Sequence, residues 1–255
     1  MTRPSAHRWL AISLISILLS AFPSLVAANH SWGGYHWART ANPFTVRLGD
    51  NVSSAWDGYL ATASSDWTQS TVLNTQVVGG SAKPRNCRPT SGRDEVCSAS
   101  YGTTGWLGVA QIWITGGTHI TQGTVKVNDT YFNTASYNTP AWRRLVMCQE
   151  IGHTFGLDHQ DENFDNPNLG TCMDYTSNPA GPPSNEHPNK HDYDELVTIY
   201  RHLDSFTTVG QATTSRLDGR DWGQQVRGSR RSGNSLFVKS DGRGNAILTF
   251  VIWAS

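Results

Sequence analysis

One helix, marked at both ends, constrains the fold more than any other feature of the sequence. Thr139 and Pro140 supply an N-cap and a proline at the first helical position, and they open the run AWRRLVMCQEIGHTF. Gly156 follows this run, and glycine ends helices because it adopts left-handed backbone angles without strain. The sequence therefore predicts a long helix that starts at Pro140 and stops at Gly156.

One face of this helix carries side chains suited to holding a metal ion. Residues four apart share a helix face, so Gln149 and His153 project together, with Glu150 beside them. A sharp turn at Gly156 lets His159 swing back toward the same point as a third ligand. This arrangement predicts a tripod around a metal ion, with Glu150 as the general base that takes a proton from a metal-bound water.

Two motifs in this region resemble those of the metzincin metallopeptidases. QEIGHTFGLDH, which runs from Gln149 to His159, is similar to their zinc-binding consensus, and TCMDYT is similar to their Met-turn. The Met-x-Tyr spacing of Met173 and Tyr175 resembles astacins and serralysins more than matrixins. The resemblance implies structural roles for Gly156 and Met173. It also implies that Tyr175 approaches the metal and stabilises an oxyanion.

The same resemblance implies a fold and an activity. The fold is α+β: a metzincin-like catalytic domain with a twisted mixed sheet, an active-site helix, a Met-turn and a closing helix, followed by a C-terminal β-hairpin tail. The similarity in architecture spans residues 35–204, whereas the specific motifs cover residues 149–175. The implied activity is that of a secreted zinc endopeptidase acting on polypeptides. Zinc would be held by His153, His159 and Gln149, and Glu150 and Tyr175 would be the catalytic residues.

The first ligand position departs from the family's pattern, because Gln149 stands where a histidine is usual. A neutral imidazole gives zinc a strong nitrogen ligand, whereas a carboxamide offers a carbonyl oxygen. The expected consequence is weaker zinc affinity and a more Lewis-acidic metal. Two other functions stay open: a catalytically inactive metzincin-like protein that binds peptides, and a secreted adhesion or carbohydrate-binding module, suggested by the 10 tryptophans and the β-rich tail.

Hydrophobic periodicity places the other elements around this helix. Alternating Phe44, Val46 and Leu48 predict a half-buried strand, and a helix with a Ser53/Ser54 cap follows it. Short strands are expected at residues 75–78 and 95–101, a strand buried on both faces at 106–115, and an edge strand or hairpin arm after that. His119, which precedes this last strand, is interpreted as an ordinary polar turn residue.

A closing helix and a β-rich tail complete the predicted chain. HDYDELVTIYRHLD has an apolar stripe that runs from Leu196 to Leu203, and SLFVKSDGRGNAILTFVIWA predicts a hairpin around SDGRGN. The predicted organisation is a signal peptide at 1–28, a metallopeptidase domain at 29–205 and a β-rich extension at 206–255. The extension either packs onto the main domain or stands as a small appendage.

The N-terminus predicts export. Arg3 and Arg8 precede an apolar run at residues 9–22, and Val26 and Ala28 occupy the −3 and −1 positions of a signal-peptidase site. The alternative, a membrane anchor, is disfavoured because the run is shorter than the roughly 20 residues that span a bilayer. The expected location is secreted, with no membrane association after cleavage before Asn29.

The four cysteines fit an exported chain and are predicted to form disulfides. Cys87 and Cys97 flank a polar, turn-rich loop, so a local bridge is the simplest pairing, which leaves Cys148 with Cys172. A zinc site built from all four is the competing interpretation. It is disfavoured because the sequence contains no CxxC pair.

Charge excludes some partners and suggests one further cation. Lys+Arg and Asp+Glu balance at 20 each, so no global field directs the chain to nucleic acid, and the oligomeric state is left open. Carboxylates cluster at the end of the motif and just beyond it. An oxygen-rich loop of this kind suits Ca²⁺, although no EF-hand spacing is present. The carboxylates are Asp158, Asp161, Glu162 and Asp165.

Overall fold

The computed structural model describes residues 30–213 and 217–254. The predicted signal peptide lies outside the described residues, and within them no helix is long and apolar enough to cross a membrane. Nine strands and four helices are defined in this part of the chain. They are β1 (His36–Trp37), β2 (Phe44–Asn51), α1 (Asp57–Trp67), β3 (Leu73–Gly79), β4 (Asp94–Ala99), β5 (Trp106–Thr115), β6 (His119–Asn128), α2 (Asp129–Phe132), α3 (Pro140–Thr154), α4 (Lys190–Ile199), β7 (Gln224–Ser229), β8 (Asn234–Ser240) and β9 (Ala246–Trp253).

All nine strands belong to one mixed sheet. Its order is β3-β2-β4-β6-β5-β9-β8-β7, and β1 pairs with β6. Strands β1, β2, β3, β4 and β6 pair in parallel, whereas β5, β7, β8 and β9 pair antiparallel to their neighbours. The protein is therefore a mixed α/β fold with a large mixed sheet and few helices, which is compatible with the predicted α+β class.

Burial along the strands follows the predicted periodicity. In β2, Phe44, Val46 and Leu48 are buried while the residues between them are exposed, as predicted. Strand β5 is buried along nearly its whole length, because α3 packs on one face and residues 217–222 cover the other. On that second face, the Gln111 side chain donates to Gly219 O and the Trp113 indole donates to Leu217 O.

Strand β6 is a hairpin arm and lies inside the sheet. It pairs antiparallel with β5 and parallel with β4, with Ala110 opposite Val125 in the hairpin. The alternative prediction of an edge strand is therefore wrong. The other edge of β5 is paired with β9, which places Phe250 opposite Ala110.

The predicted N-terminal end of α3 is confirmed, whereas the predicted ends of α1 and α4 differ from the structure. Thr139 caps α3 by accepting a hydrogen bond from Trp142 N, and Pro140 is its first residue. The predicted serine cap of α1 is wrong: the N-cap is Trp56, which makes no side-chain cap. Trp56 sits there because its indole is fully buried. The apolar stripe of α4 ends before Leu203, whose side chain is exposed.

Residues beyond 217 add three strands to the same sheet. The predicted hairpin around SDGRGN is formed by β8 and β9, and β7 is an additional strand that was not predicted. Because β9 pairs with β5, the sheet runs without a break from the first half of the chain into this extension.

Both predicted disulfides are confirmed. Cys87 bonds to Cys97, and Cys148 in α3 bonds to Cys172, just before Met173. No free cysteine remains in the described chain, so a zinc site built from cysteines is excluded there. The second bridge ties the long helix to the methionine-containing loop.

Candidate metal centre

Helix α3 brings Gln149, Glu150 and His153 into the protein interior, where each is no more than 1% exposed. They are followed by Gly156, whose φ of +93° turns the chain out of the helix. A Cβ at this position would lie 2.1 Å from Tyr35 O, so no other residue fits without rearrangement. The turn that was predicted to return His159 to the helix is therefore built as expected.

The His153 ring is fixed in a form that can ligate a metal. Its Nδ1 lies 2.9 Å from Leu157 O, and a carbonyl can only accept, so Nδ1 carries the proton and Nε2 presents its lone pair. Burial, assisted by the neighbouring His159, holds the pKa of His153 well below its usual range. The imidazole is thus neutral, as metal ligation requires.

His159 lies against His153, with ring centroids 4.5 Å apart and ring planes at 85°. Its Nδ1 is 3.3 Å from Glu162 Oε1 and 3.5 Å from Asp158 Oδ1. Its buried Nε2 has no hydrogen-bond partner among the described residues. A carboxylate behind one ring nitrogen and a free second nitrogen is the usual arrangement of a metal-ligating histidine.

The Gln149 amide is oriented with its oxygen free. Its Nε2 donates to Cys172 O at 2.8 Å, while its buried Oε1 accepts no hydrogen bond within the described chain. An unsatisfied buried acceptor costs about 1–3 kcal/mol. The two imidazole nitrogens are regular zinc ligands, and the neutral amide oxygen is a weaker third donor. These residues therefore fit a zinc ion.

Glu150 lies beside these donors in a closely fitted space. Burial raises the pKa of its carboxyl well above the usual range, against a smaller lowering by a backbone hydrogen bond with Ala110. A Cβ on Gly108 would lie 2.5 Å from Glu150 Oε1, so glycine leaves room for the carboxyl. A nearby cation would favour the ionised form, because opposite charge offsets the cost of burial.

Tyr175 and Met173 complete the floor of the site. The Tyr175 ring lies 4.2 Å from that of His159 and stacks on Phe164. Burial, and then the nearby Glu150, raise the pKa of the Tyr175 hydroxyl well above its usual range, so the hydroxyl stays a hydrogen-bond donor. Met173 is buried against α3, and a Cβ on Gly152 would lie 2.6 Å from its sulfur.

Three residues at the site were not found by sequence reasoning. Phe250 of β9 stacks on His153 with centroids 4.4 Å apart, and Trp32 packs edge-on against both Phe250 and His153. Arg227 of β7 lies 4.6 Å above the Trp32 ring. Long-range strand pairing brings them here, and no local pattern marks them. Together they close the site from solvent, and we call them the cover (Trp32, Arg227 and Phe250).

The four carboxylates predicted as calcium ligands do not all converge on one point. Arg227 pairs with Asp158 Oδ1 at 2.5 Å and with Glu162 Oε1 at 3.0 Å. The two oxygens of Asp161 accept instead from Asn163 N and Asn166 Nδ2. One guanidinium thus already pairs with two of the four carboxylates proposed for calcium.

No protein-family model matches the chain, and a comparison with curated proteins found no similar sequence. The resemblance to metzincins therefore rests on the sequence motifs of this chain.

Proposed function

We propose that this protein is a zinc-dependent endopeptidase of the metzincin type. The observation that carries the proposal is a group of buried polar atoms without partners in the described chain: Gln149 Oε1, Glu150 Oε2 and His159 Nε2. Each would cost about 1–3 kcal/mol if left unsatisfied. Gln149 lies about one helical turn before His153, Glu150 adjoins Gln149, and the rings of His153 and His159 are 4.5 Å apart. A metal ion and a reactant bound beside these atoms would satisfy them.

The order of elements supports the same proposal. A strand and a helix (β2, α1) are followed by the sheet, the motif helix α3, the loop with Met173, and the helix α4. The Cys148–Cys172 bridge holds the motif helix against that loop. The two motifs that resemble metzincins therefore lie together in space as well as in sequence.

The protein residues have separable roles in such a reaction. Bound zinc would supply Lewis acidity for attack on a peptide carbonyl. Gln149, His153 and His159 would hold it. Glu150, once ionised, would accept the proton of the attacking water and return it to the leaving amine. Tyr175 would donate its hydroxyl hydrogen bond to the oxyanion, and the low local dielectric would strengthen that bond.

The closed site implies that the enzyme is latent in this conformation. Strand β9 occupies the edge of β5 that an extended peptide would otherwise use to add a strand. Phe250 lies directly on His153. We therefore propose that the C-terminal strands must move before a substrate enters.

A second candidate function is peptide binding without catalysis. It is favoured by the burial of Glu150, which is only 1% exposed and lies against Gly108 of β5. The adhesion or carbohydrate-binding alternative gains no support from the tryptophans. Every described tryptophan is buried or partly buried, so these rings serve packing rather than an exposed platform.

The test is hydrolysis of a fluorescently labelled unfolded protein by the zinc-loaded chain and by Glu150→Gln. The matched control is Glu195→Gln, which changes an equally buried glutamate on α4 that is outside the proposed site. Cleavage that is lost only in Glu150→Gln, and that a chelator abolishes in the unmodified chain, supports the peptidase. Equal cleavage by both variants would overturn the proposal. No cleavage by any of them, with zinc bound, would favour peptide binding.

A further inference from the structure

Three imidazoles and a carboxylate meet at a second place, formed by residues outside the candidate metal centre. Asp204 Oδ1 lies 3.2 Å from His119 Nε2, 3.5 Å from His36 Nε2 and 3.8 Å from His202 Nε2. The Nε2 atoms of His36 and His202 are 3.1 Å apart. The rings of His119 and His202 stand at 78° and 89° to that of His36, so ring nitrogens converge and ring faces do not stack. We call these four residues the three-histidine cluster.

Three separate parts of the chain build this cluster. His36 of β1 is the register partner of His119 at the start of β6. His202 and Asp204 follow α4, and Asp204 N donates to Arg39 O at 2.9 Å, which fixes this segment beside β1. The convergence is therefore imposed by the fold and not by adjacency in sequence.

The protonation of the His36 ring directs a nitrogen lone pair at the carboxylate of Asp204. His36 Nδ1 is 2.7 Å from Gly34 O, so the Nδ1 proton is committed to that carbonyl. In the neutral ring, His36 Nε2 then presents a lone pair to Asp204 Oδ1 and to His202 Nε2. The Nε2–H of a neutral His202 can donate to this lone pair at 3.1 Å. Asp204 Oδ1, 3.5 Å away, is a second acceptor that cannot hydrogen-bond to His36 Nε2, so a proton or a cation between these two atoms would remove their repulsion.

Hydrogen bonds to Arg39 fix one carboxylate oxygen of Asp204 and leave the other available to the histidines. Its Oδ2 accepts from Arg39 Nη1 at 2.9 Å and from Arg39 N at 3.1 Å, and Arg39 is itself buried. This leaves Oδ1 directed at the histidines. A ligand carboxylate whose second oxygen is held by hydrogen bonds is typical of metal sites, because the outer partners fix its orientation.

We propose that His36, His119, His202 and Asp204 bind a divalent transition-metal ion of the zinc class. Tetrahedral coordination with bonds of 2.0–2.1 Å places ligand atoms about 3.3 Å apart. The four separations of 3.1–3.8 Å that join His36 or Asp204 to the other ligands fall around this value. The ligand atoms of His36, His119 and Asp204 all lie within 4.8 Å of one another, and His202 would move toward them as the fourth ligand. Three nitrogen donors select such an ion over calcium or magnesium, which take oxygen ligands. The proposal shares no residue with the proposed peptidase site and does not depend on it.

The position of the cluster indicates a structural role with an open entry path. His202 is half-exposed, with 48% of its side chain accessible, whereas that of His36 is only 6% accessible. A metal ion would therefore enter past His202. It would clasp the segment after α4 to β1 and β6, next to Tyr200, whose hydroxyl donates to Phe155 O at the end of α3.

The experiment counts zinc per chain and measures thermal unfolding with and without zinc, for the untagged chain and for His202→Ala. This exposed position tolerates alanine without a buried cavity, and His119→Ala is a second variant. The matched control is His187→Ala, an equally exposed histidine whose Nδ1 pairs with Asp66. The expected result is one zinc fewer per chain in both cluster variants, at least about tenfold weaker binding, and a smaller zinc-induced rise in melting temperature. His187→Ala should match the unmodified chain.

The difference between variants separates this inference from the proposed function. If the peptidase site fails to bind zinc but the cluster binds it, the unmodified chain holds one zinc and His202→Ala holds none. If both sites bind, the numbers are two and one. Equal zinc content and equal zinc stabilisation in the unmodified chain, His202→Ala and His119→Ala would overturn the inference. They would identify the cluster as a network of hydrogen bonds that holds no metal ion.

Discussion

The contact between Phe250 and His153 can be removed by a single substitution, Phe250→Ala. Phe250 is 1% exposed and packs on both His153 and Trp32. Replacing a buried phenylalanine by alanine costs about 3–5 kcal/mol in free energy of unfolding, from lost transfer energy and the cavity that remains. That cavity would lie directly above the ring that we propose as a zinc ligand.

We expect Phe250→Ala to lower the free energy of unfolding by this amount and to open the site. Urea denaturation measures the first effect. Modification of histidine by diethyl pyrocarbonate in zinc-free protein, located by peptide mass, measures the second effect: His153 should react in the variant and stay protected in the unmodified chain. With zinc bound, hydrolysis of an unfolded protein should rise, because the substrate reaches the metal more often.

The control is Leu248→Ala on the same strand. Leu248 is 2% exposed and belongs to the same buried cluster, and it pairs with Ile112 in the sheet. Its removal costs about 2–5 kcal/mol by the same mechanism. If Leu248→Ala exposes His153 as much as Phe250→Ala does, general loosening explains the effect and Phe250 is no specific cover. If neither variant exposes His153, the reasoning about the cover is wrong.

Three further predictions follow from individual side chains. Gln149→His should bind zinc at least about tenfold more tightly, measured by chelator competition, because imidazole is the stronger ligand; unchanged affinity would show that position 149 does not touch the metal. Tyr175→Phe should lower kcat about 10²–10³-fold with zinc content unchanged, as removal of an oxyanion donor does; a full kcat would remove Tyr175 from the mechanism. Burial raises the pKa of Asp94 to about 8, against a hydrogen bond from Thr154. Below pH 4 the Asp94 carboxyl is protonated in both the folded and the unfolded protein. Between pH 4 and 8 only the folded protein keeps this proton. The free energy of unfolding therefore falls with rising pH, by up to about 1.4 kcal/mol per pH unit. Denaturation of Asp94→Asn should lack this slope, and an unchanged slope would contradict the assignment.

The local features of the fold could be predicted because short-range physics determines them. The cap at Thr139, the stop at Gly156 and the alternation in β2 each depend on a few neighbouring residues, and each is present as expected. The disulfides followed from spacing alone. The serine cap of α1 failed because burial of Trp56 competes with a capping hydrogen bond and decides where the helix begins.

The parts of the sites that were missed depend on long-range pairing. Phe250 reaches His153 only because β9, which begins at Ala246, pairs with β5, which ends at Thr115, far away in sequence. His119 was interpreted as a turn residue, since nothing near it in sequence suggests a partner; the parallel pairing of β1 with β6 places His36 beside it. Each such residue looks ordinary in the local sequence, and its contacts form only when distant strands pair in the sheet.

The need to pair the edge of strand β5 explains why β9, which carries Phe250, lies where an extended substrate would bind. WLGVAQIWIT is apolar on both faces, and an unpaired edge of this kind is prone to aggregation. Strand β9 satisfies that edge as part of the same chain, and an intramolecular partner competes with a free peptide at an effective concentration that can reach the millimolar range. A free peptide of equal intrinsic affinity would have to reach similar concentrations to displace it. The half-saturation concentration for substrate should therefore be high in the unmodified chain and fall in Phe250→Ala, because weakening the tethered strand lowers the barrier that every substrate has to overcome.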